Sequence, residues 1–332
     1  MPPRPLRYLI ALLALLASGI GGCSVATSSG DTAANGRTTA PTVREQMRDG
    51  SPERPLRMLA MGSDARSMDQ VRKYLQPVLD VITRETGLHF ELRFGDSYAA
   101  SLEALEGRHA DFAQLSSPWI YLKARERGVA ELLAMQTRDG DHTYYGGIFA
   151  TRASGIKTLK DLKGRSCAFG DINSMSSFNY PSAMLLHAGV DPSRDLSVVY
   201  LTGSHDAVLA AMAAGKVDAG CCAIGTFENA VREGRIDPEK IILVAKSDAI
   251  PGSPLAMYPK LPEETRKKLR QGFEYLDKHP EALANIRTDS GRKMDRFDTS
   301  ISDADFDKVT KFLRPVTEEY RTRMMAKAGK KP

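Results

Sequence analysis

Apolar and polar positions follow a repeated order from residue 56 onward: an apolar strand, a polar turn, a helix and a closing glycine. "LRMLAMG" (56–62) leads into a polar turn and then a helix that ends at Gly87. "HFELRF" (89–94), "SCAFG" (166–170) and "SVVYL" (197–201) each stand before a similar turn and helix. Strands that alternate with helices of this length predict an α/β fold with largely parallel strands.

Two of these units match in detail. Residues 95–107 and 203–215 each run from glycine to glycine with a polar cap and an Ala-rich helix between them. Each is followed by a strand that begins at an aspartate, Asp111 in the first unit and Asp218 in the second. This internal repeat predicts two similar α/β lobes rather than one continuous sheet.

The lobes need two crossings of the chain, which we place near residues 146–154 and 244–252. The predicted division is then the first part of lobe one in 57–148, lobe two in 149–245, and a return to lobe one in 246–325. The C-terminal helices, from Pro262 onward, are expected to pack on lobe one.

The N-terminus is typical of an exported protein. "MPPRPLRYLIALLALLASGIGGC" (1–23) has two arginines, a short apolar run and then small residues, as in a secretory signal peptide. "IGGC" resembles a bacterial lipobox, which would make Cys23 the lipidation site; the alternative is ordinary cleavage between residues 17 and 22. Residues 24–56 lack apolar periodicity and are interpreted as a disordered tether.

Composition and charge exclude several classes of protein. The 332 residues are 42% hydrophobic and 26% charged, which is typical of a folded chain, and the net charge of +5 is too small to indicate nucleic-acid binding. Beyond Cys23, the cysteines Cys167, Cys221 and Cys222 lie in apolar runs and are interpreted as buried small side chains, or as a thiol site at Cys221–Cys222. No CxxC pair is present, and neither a metal nor a cofactor is predicted.

The polar turns carry the candidate chemistry. In an open α/β sheet, ligands bind beyond the carboxyl ends of the strands, where helices begin and present free N–H groups. "GDINSMSSFNYP" (170–181) crowds five small hydrogen-bonding side chains into one such turn without a lysine or arginine, and Ser116–Ser117 precede another helix. Each residue can be a simple helix cap, but the set predicts a site for an anion.

Four segments carry a family resemblance. "DINSMSSFNYP" resembles the Asn-Ser-Thr-Ser-Gly…Pro signature of the periplasmic binding proteins for phosphonate, phosphite and phosphate uptake. "LKDLKGRSCAFGD", "GSHDAVLAAMAAGKVDAG" and "DAIPGSP" resemble that family in the same order, over roughly residues 57–310. The resemblance implies a type II periplasmic binding protein, in which two α/β lobes joined by a two-crossover hinge close on the ligand.

The resemblance also implies the ligand contacts. The family's Ser-Thr-Ser turn corresponds to Ser174, Met175 and Ser176, with a methionine where the family has a hydroxyl; Ser177 replaces the family glycine and can supply another donor. The family histidine and tyrosine correspond to His205 and Tyr98, and a carboxylate of aminoalkylphosphonate binders is replaced by Ser253. With the Ser116–Ser117 turn, the implied contacts are Tyr98, Ser116, Ser117, Ser174, Met175, Ser176, Ser177, His205 and Ser253.

These observations predict a binding protein and not an enzyme. The expected partners are a phosphorus oxyanion (phosphate or phosphite before aminoethylphosphonate, because of Ser253) and a membrane ABC permease. The chain is expected to act outside the cytoplasm as a lipid-anchored monomer that contacts the membrane through its anchor. A carboxylate that accepts a hydrogen bond from a protonated phosphorus oxyanion would exclude sulfate, which has no proton to donate at neutral pH. Asp96, Asp171 and Asp206 are the candidates for this role. The alternative is a ligand-presenting protein for a sensor histidine kinase, with Cys221–Cys222 binding a thiol-seeking oxyanion such as arsenite.

Overall fold

The computed structural model describes residues 47–61, 68–252, 254–284, 286 and 293–329. All of these residues lie in one compact unit, 43–332. The signal peptide, Cys23 and Ser253 lie outside the described residues, so their roles stay predictions.

The end of the expected tether is part of the folded unit. Gly50 is buried, and its carbonyl accepts a hydrogen bond from His89 N–H at 2.7 Å. The Thr265 hydroxyl donates to the carbonyl of Asp49 at 3.1 Å. Residues 47–55 therefore differ from the tether assignment, because their backbone groups find partners in the first lobe.

The first sheet has six strands in the order β13-β4-β12-β3-β1-β2 within the described residues. Strands β1, β2 and β3 pair in parallel, and β12 and β13 add antiparallel neighbours around β4. The bounds are β1 Leu56–Met61, β2 Phe90–Gly95, β3 Phe112–Gln114, β4 Glu131–Thr137, β12 Pro254–Met257 and β13 Arg296–Asp298.

The second sheet has five strands in the order β10-β6-β9-β7-β8 among the described residues. Its parallel part, β8-β7-β9, repeats the arrangement β2-β1-β3 of the first sheet. The bounds are β6 Gly146–Thr151, β7 Ser166–Phe169, β8 Val198–Leu201, β9 Ala219–Ala223 and β10 Ile241–Lys246.

The chain passes between the sheets through two short strands that pair with each other, β5 Thr143–Tyr144 and β11 Ile250–Pro251. Ile250 lies opposite Tyr144 in this antiparallel ribbon. The first passage precedes the segment 146–154 in which we expected it, because Gly146–Thr151 already forms a strand of the second sheet. The second passage lies within 244–252.

Helices cover both sheets. The last helix differs from the expectation for the C-terminal part. Helix α8 (Glu263–Tyr275) packs against α1 (Met68–Thr86) of the first lobe, whereas α10 (Glu318–Ala328) packs against β8 and α5 (Pro192–Asp195) of the second. The α-helices described are α1 Met68–Thr86, α2 Tyr98–Glu106, α3 Pro118–Glu126, α4 Tyr180–His187, α5 Pro192–Asp195, α6 His205–Ala213, α7 Ile224–Arg232, α8 Glu263–Tyr275, α9 Ala304–Phe312 and α10 Glu318–Ala328. Short 3₁₀ helices span Arg152–Ser154, Leu159–Leu162, Leu276–Lys278 and Pro280–Leu283, and a π-helical turn spans Met175–Asn179.

The three thiols in the described part of the chain are buried, and the adjacent pair is divided between two apolar clusters. Cys221 packs in a cluster with Phe169 and Phe178, whereas Cys222 packs in another with Phe149. Neighbouring residues of a strand point to opposite faces, so Cys221 and Cys222 cannot bind one ion together. The thiol closest to Cys221 is Cys167, with its Sγ atom 4.0 Å away. Among the described residues, no helix is both long and apolar enough to cross a membrane.

Candidate functional site

The helices α2 and α6 begin with the same cap. Ser97 accepts a hydrogen bond from Ala100 N–H at 3.2 Å, and Ser204 accepts one from Ala207 N–H at 3.1 Å. Each cap follows a parallel strand of its own sheet, β2 or β8. The first helical residues, Tyr98 and His205, therefore occupy equivalent positions at the carboxyl ends of the two sheets.

The His205 ring is oriented by the second lobe. Its Nδ1 atom accepts a hydrogen bond from Ala223 N–H at 3.1 Å, where β9 ends and α7 begins. A neutral imidazole that accepts through Nδ1 carries its proton on Nε2. That nitrogen lies 3.5 Å from Ser174 Oγ, so the donor side of His205 faces the 170–179 turn.

The 170–179 turn is a helix start that is held by its own polar side chains. Ser174 Oγ accepts from Ser177 N–H at 3.2 Å, and Asp171 Oδ1 accepts from Asn173 N–H at 2.7 Å. Asn179 N–H donates to the Ser174 carbonyl five residues earlier, which makes the turn π-helical. The first N–H groups of such a turn have no acceptor within the helix and carry partial positive charge.

Ser176 lies in this turn where the chain crosses between the sheets. It is buried, and its side chain hydrogen-bonds with the phenol of Tyr144. Burial raises the pKa of Tyr144 to about 12, and the hydrogen bond with Ser176 opposes that rise. Gly146 comes so close that an added Cβ would lie 3.1 Å from the Ser176 carbonyl oxygen. The crossover and the turn are thus packed together without space for larger side chains.

Met175 and Ser177 are both buried within the turn. The Met175 side chain is 1% exposed and packs in the apolar cluster that contains Phe169 and Phe178. The side chain is therefore not accessible to a ligand. Ser177 Oγ is fully buried and has no hydrogen-bond partner among the described residues. It fills the space above Gly170, where an added Cβ would overlap it.

The first lobe contacts this turn directly. Ser117 Oγ donates to the carbonyl of Asn173 at 2.7 Å and accepts from Trp119 N–H at 3.3 Å. The one hydroxyl proton of Ser117 is therefore engaged by lobe two, not left for a ligand. Ser116 is exposed, and Tyr98 is half-buried and packs on an apolar cluster that contains residues of both lobes.

The three candidate carboxylates occupy different surroundings. Asp96 is exposed, and Asp206 forms an ion pair with Arg235 at 2.9 Å. Asp171 is engaged by the backbone of its own turn, as described above. These partners account for Asp171 and Asp206 as structural groups.

A separate cavity of about 740 Å³ lies along β2 and α2; its lining includes Arg57, Arg93, Gly95, Asp96 and His109 but none of the residues of the 170–179 turn.

The sequence analysis missed Arg321. This residue of α10 is 7% exposed, and its guanidinium donates to the Ile172 carbonyl at 2.7 Å and to the Asn179 side chain at 2.9 Å. In the sequence, Arg321 lies between Tyr320 and Met324, which are both core residues of the same helix. That position is only a weak indication that the arginine is buried. The partners are more than 140 residues away in the chain, so no local pattern could identify them.

A family comparison agrees with this geometry. The model of the family described as "ABC transporter, phosphonate, periplasmic substrate-binding protein" matches residues 64–299, well over half of the 332-residue chain. The chain belongs to this family. Its members are transport proteins that bind substrate outside the cytoplasm, and the prediction that this chain is a binding protein and not an enzyme is confirmed.

Two relatives of known role are similar to the chain. The phosphate-import protein PhnD of Mycolicibacterium smegmatis is 29% identical over 222 residues, which are 63% of this chain and 68% of the relative. The phosphonates-binding periplasmic protein of Escherichia coli is 26% identical over 229 residues, 66% of this chain and 65% of the relative. The chain thus spans about two thirds of the length of each.

A solved structure supports the fold. PhnD1 of Prochlorococcus marinus, determined in complex with methylphosphonate, is 19% identical and superposes with a TM-score of 0.64 over 79% of this chain and 97% of that one. The predicted fold class, a type II periplasmic binding protein with two α/β lobes and a two-crossover hinge, is confirmed by this likeness together with the two sheets and their paired crossovers.

Proposed function

We propose that this chain captures a phosphorus oxyanion (phosphate, phosphite or a small phosphonate) and delivers it to an ABC permease. The observation that carries the proposal is the convergence of neutral donors at a helix start. His205 Nε2 and Ser174 Oγ lie 3.5 Å apart, beside the first N–H groups of the 170–179 turn. Helix starts of this kind bind anions through free N–H groups and the helix dipole.

The donor set suits a doubly charged oxyanion. A hydrogen bond to a charged group contributes about 1.5–3 kcal/mol, and four such bonds provide about 6–12 kcal/mol before the loss of freedom on association. A micromolar Kd corresponds to about −8 kcal/mol, so the site needs donors that are already oriented. The hydrogen bond between Ala223 N–H and His205 Nδ1 supplies that orientation for one of them.

The ligand class follows from the relatives and from one departure in the sequence. One relative imports phosphate, another binds phosphonates, and the structural neighbour was solved with methylphosphonate. Ser253 stands where aminoalkylphosphonate binders are expected to have a carboxylate, so a cationic tail would lack its partner. We therefore propose phosphate, phosphite or methylphosphonate as ligands before aminoethylphosphonate.

The remaining parts of the proposal concern the site and the membrane. Tyr98 and the hydroxyl of Ser177 are proposed as further donors, together with the backbone N–H groups of Met175 and Ser176. We also propose that the chain is lipid-anchored at Cys23 and monomeric. The arsenite-sensing alternative loses its physical basis, because Cys221 and Cys222 face opposite apolar clusters.

Isothermal titration calorimetry on the purified chain tests the proposal. The panel is phosphate, phosphite, methylphosphonate, aminoethylphosphonate, sulfate and arsenite, and we expect micromolar or tighter binding of at least one of the first three. Ser174→Ala should weaken that binding, because it removes the hydroxyl that lies beside His205 Nε2, whereas Ser300→Ala, at an exposed serine that hydrogen-bonds to Asp298, is the matched control. Binding of arsenite alone, or of no phosphorus oxyanion, would contradict the proposed function.

A further inference from the structure

Arg321 reaches the 170–179 turn from the last helix. Its Nη1 atom donates to the Ile172 carbonyl at 2.7 Å and to Asn179 Oδ1 at 2.9 Å, and its Nη2 atom donates to Asn173 Oδ1 at 3.0 Å. One planar guanidinium thus holds acceptors at both ends of the turn. A lysine cannot reproduce this arrangement, because its ammonium is a point charge and not a fork.

The charge of Arg321 interacts with two carboxylates, Glu318 of its own helix and Asp171 of the turn. Burial lowers its pKa, yet an arginine remains protonated in a protein. Its ion-pair partner is Glu318, whose Oε2 atom lies 3.3 Å from Nε and whose side chain is 69% exposed. Water screens the carboxylate more than it screens the buried guanidinium. The turn therefore has a positive charge behind it, although its own sequence contains no lysine or arginine.

Arg321 also contacts the first lobe. Its guanidinium carbon lies 4.9 Å from the centre of the Trp119 ring, which is in the cation–π range. Trp119 comes two residues after Ser117, whose hydroxyl donates to the carbonyl of Asn173 in the same turn. Arg321 and Ser117 thus join the turn to α3 from two sides.

We propose that Arg321 is a positioning residue for the anion site. It keeps the 170–179 turn in the shape that presents its N–H groups and Ser174 towards His205, and it couples that shape to Trp119 of the first lobe. This inference rests on the proposed function, since it assigns the support of the same site. It places a requirement for ligand binding in the C-terminal helix, more than 100 residues from the last of those donors.

The test compares Arg321→Met, Arg321→Lys and the control Arg323→Met by calorimetry with inorganic phosphate and methylphosphonate. Arg323 lies in the same helix, is 43% exposed and pairs with Glu319 at 2.8 Å. We expect Arg321→Met to weaken binding at least tenfold, Arg321→Lys to weaken it nearly as much, and Arg323→Met to leave the Kd unchanged. Titrations are run at a temperature where circular dichroism shows each variant folded.

Trp119 provides a second readout, because it is the one tryptophan of the chain. Ligand should change its emission in the unmodified protein and in Arg323→Met, and change it much less in Arg321→Met. A purely structural role would lower the melting temperature of Arg321→Met without changing its Kd or this signal.

An unchanged Kd in folded Arg321→Met would overturn the inference while leaving the proposed function intact. Full recovery of affinity in Arg321→Lys would show that charge alone matters and would overturn the positioning role. If Arg321→Met does not fold, the lysine variant carries the test. Absence of binding by the unmodified chain would overturn the proposed function, and this inference with it.

Discussion

The two lobes share one repeated unit and use it differently. In each lobe a strand ends at a serine-capped helix, and a second strand begins after an aspartate that accepts a backbone N–H at 2.9 Å, from Arg57 to Asp111 and from Ser166 to Asp218. The first helical residue is Tyr98 in one unit and His205 in the other. The caps and aspartates therefore belong to the shared scaffold, and we propose that the residue after each cap contacts the ligand.

The aspartates differ most in their surroundings. Asp111 is fully buried and contacts two guanidiniums, with Arg57 at 3.4 Å and Arg108 at 3.2 Å. Asp218 is less buried and accepts hydrogen bonds from the backbone and side chain of Ser166. The same position therefore pairs with two guanidiniums in lobe one and accepts hydrogen bonds from a serine in lobe two.

The largest expected effect is a difference in stability between variants of the two aspartates. Asp111→Asn should lower the free energy of unfolding by about 3 kcal/mol, because it leaves two partly buried guanidiniums without a counter-charge. Asp218→Asn should lower it by about 1 kcal/mol, because the asparagine oxygen still accepts from Ser166 but lacks the charge that strengthens those hydrogen bonds. Urea unfolding followed by circular dichroism measures both. Equal losses would show that the ionic contacts add nothing to the shared hydrogen bond.

The second prediction concerns ligand affinity. His205→Asn keeps an acceptor for Ala223 N–H but removes the Nε2 donor, and should weaken phosphate or methylphosphonate binding by about 10- to 100-fold. Tyr98→Phe should weaken it by less, because a phenol hydroxyl rotates about its C–O bond, whereas Ala223 N–H holds the His205 ring in one orientation. Calorimetric titration gives both ratios. A larger loss in Tyr98→Phe would reverse the assignment of the main donor to lobe two.

The third prediction uses the caps, where the lobes are alike. Ser97→Ala and Ser204→Ala should each lower the free energy of unfolding by about 1 kcal/mol, since each removes one acceptor for a helix N–H. The glycine variants at the same positions are the control and should lower the free energy of unfolding by only about a few tenths of a kcal/mol. Thermal and urea unfolding measure these losses. A loss of stability in only one of the two alanine variants would contradict the prediction that the caps are equivalent.

The last prediction is a pH dependence at the crossover between the lobes, which has no effect at neutral pH. Burial raises the pKa of Tyr144 to about 12 from the ordinary value of about 10, so the folded state favours the neutral phenol. Its contribution to stability is present below pH 10 and is lost as the pH rises towards 12. The melting temperature of the unmodified chain should thus fall more steeply between pH 9.5 and 11.5 than that of Tyr144→Phe. Parallel curves would show that Tyr144 titrates normally.

Local patterns were sufficient for much of the scaffold. Strand, turn, helix and glycine positions follow from short-range periodicity and cap chemistry, so the repeat of 95–107 and 203–215 predicted two matching units that the two sheets contain. The cap before the helix at 205 was predicted because helix caps have local signatures, whereas His205 was identified through the family resemblance. The resemblance of "DINSMSSFNYP" to a family signature identified the turn for the same reason.

Long-range contacts were beyond such patterns. Nothing local to Ser117 shows that its hydroxyl proton goes to Asn173, 56 residues away. The burial of the Met175 side chain and the packing of α10 on the second lobe depend on how distant elements pack together. The same packing places residues that are similar and adjacent in the sequence in different surroundings. The thiols illustrate this point: adjacency suggested one site at Cys221 and Cys222, and strand geometry placed them on opposite faces.

By itself, the sequence determined the α/β class, the two-lobe repeat, the capped helix starts and the family, because each depends on residues within a few positions of one another or on a contiguous motif. Only the tertiary structure decided the direction of the His205 donor, the link from Ser117 to the turn, and the buried guanidinium of Arg321 behind it. Each of these requires a partner from a distant part of the chain, and burial and hydrogen-bond geometry are set only when those parts are packed together.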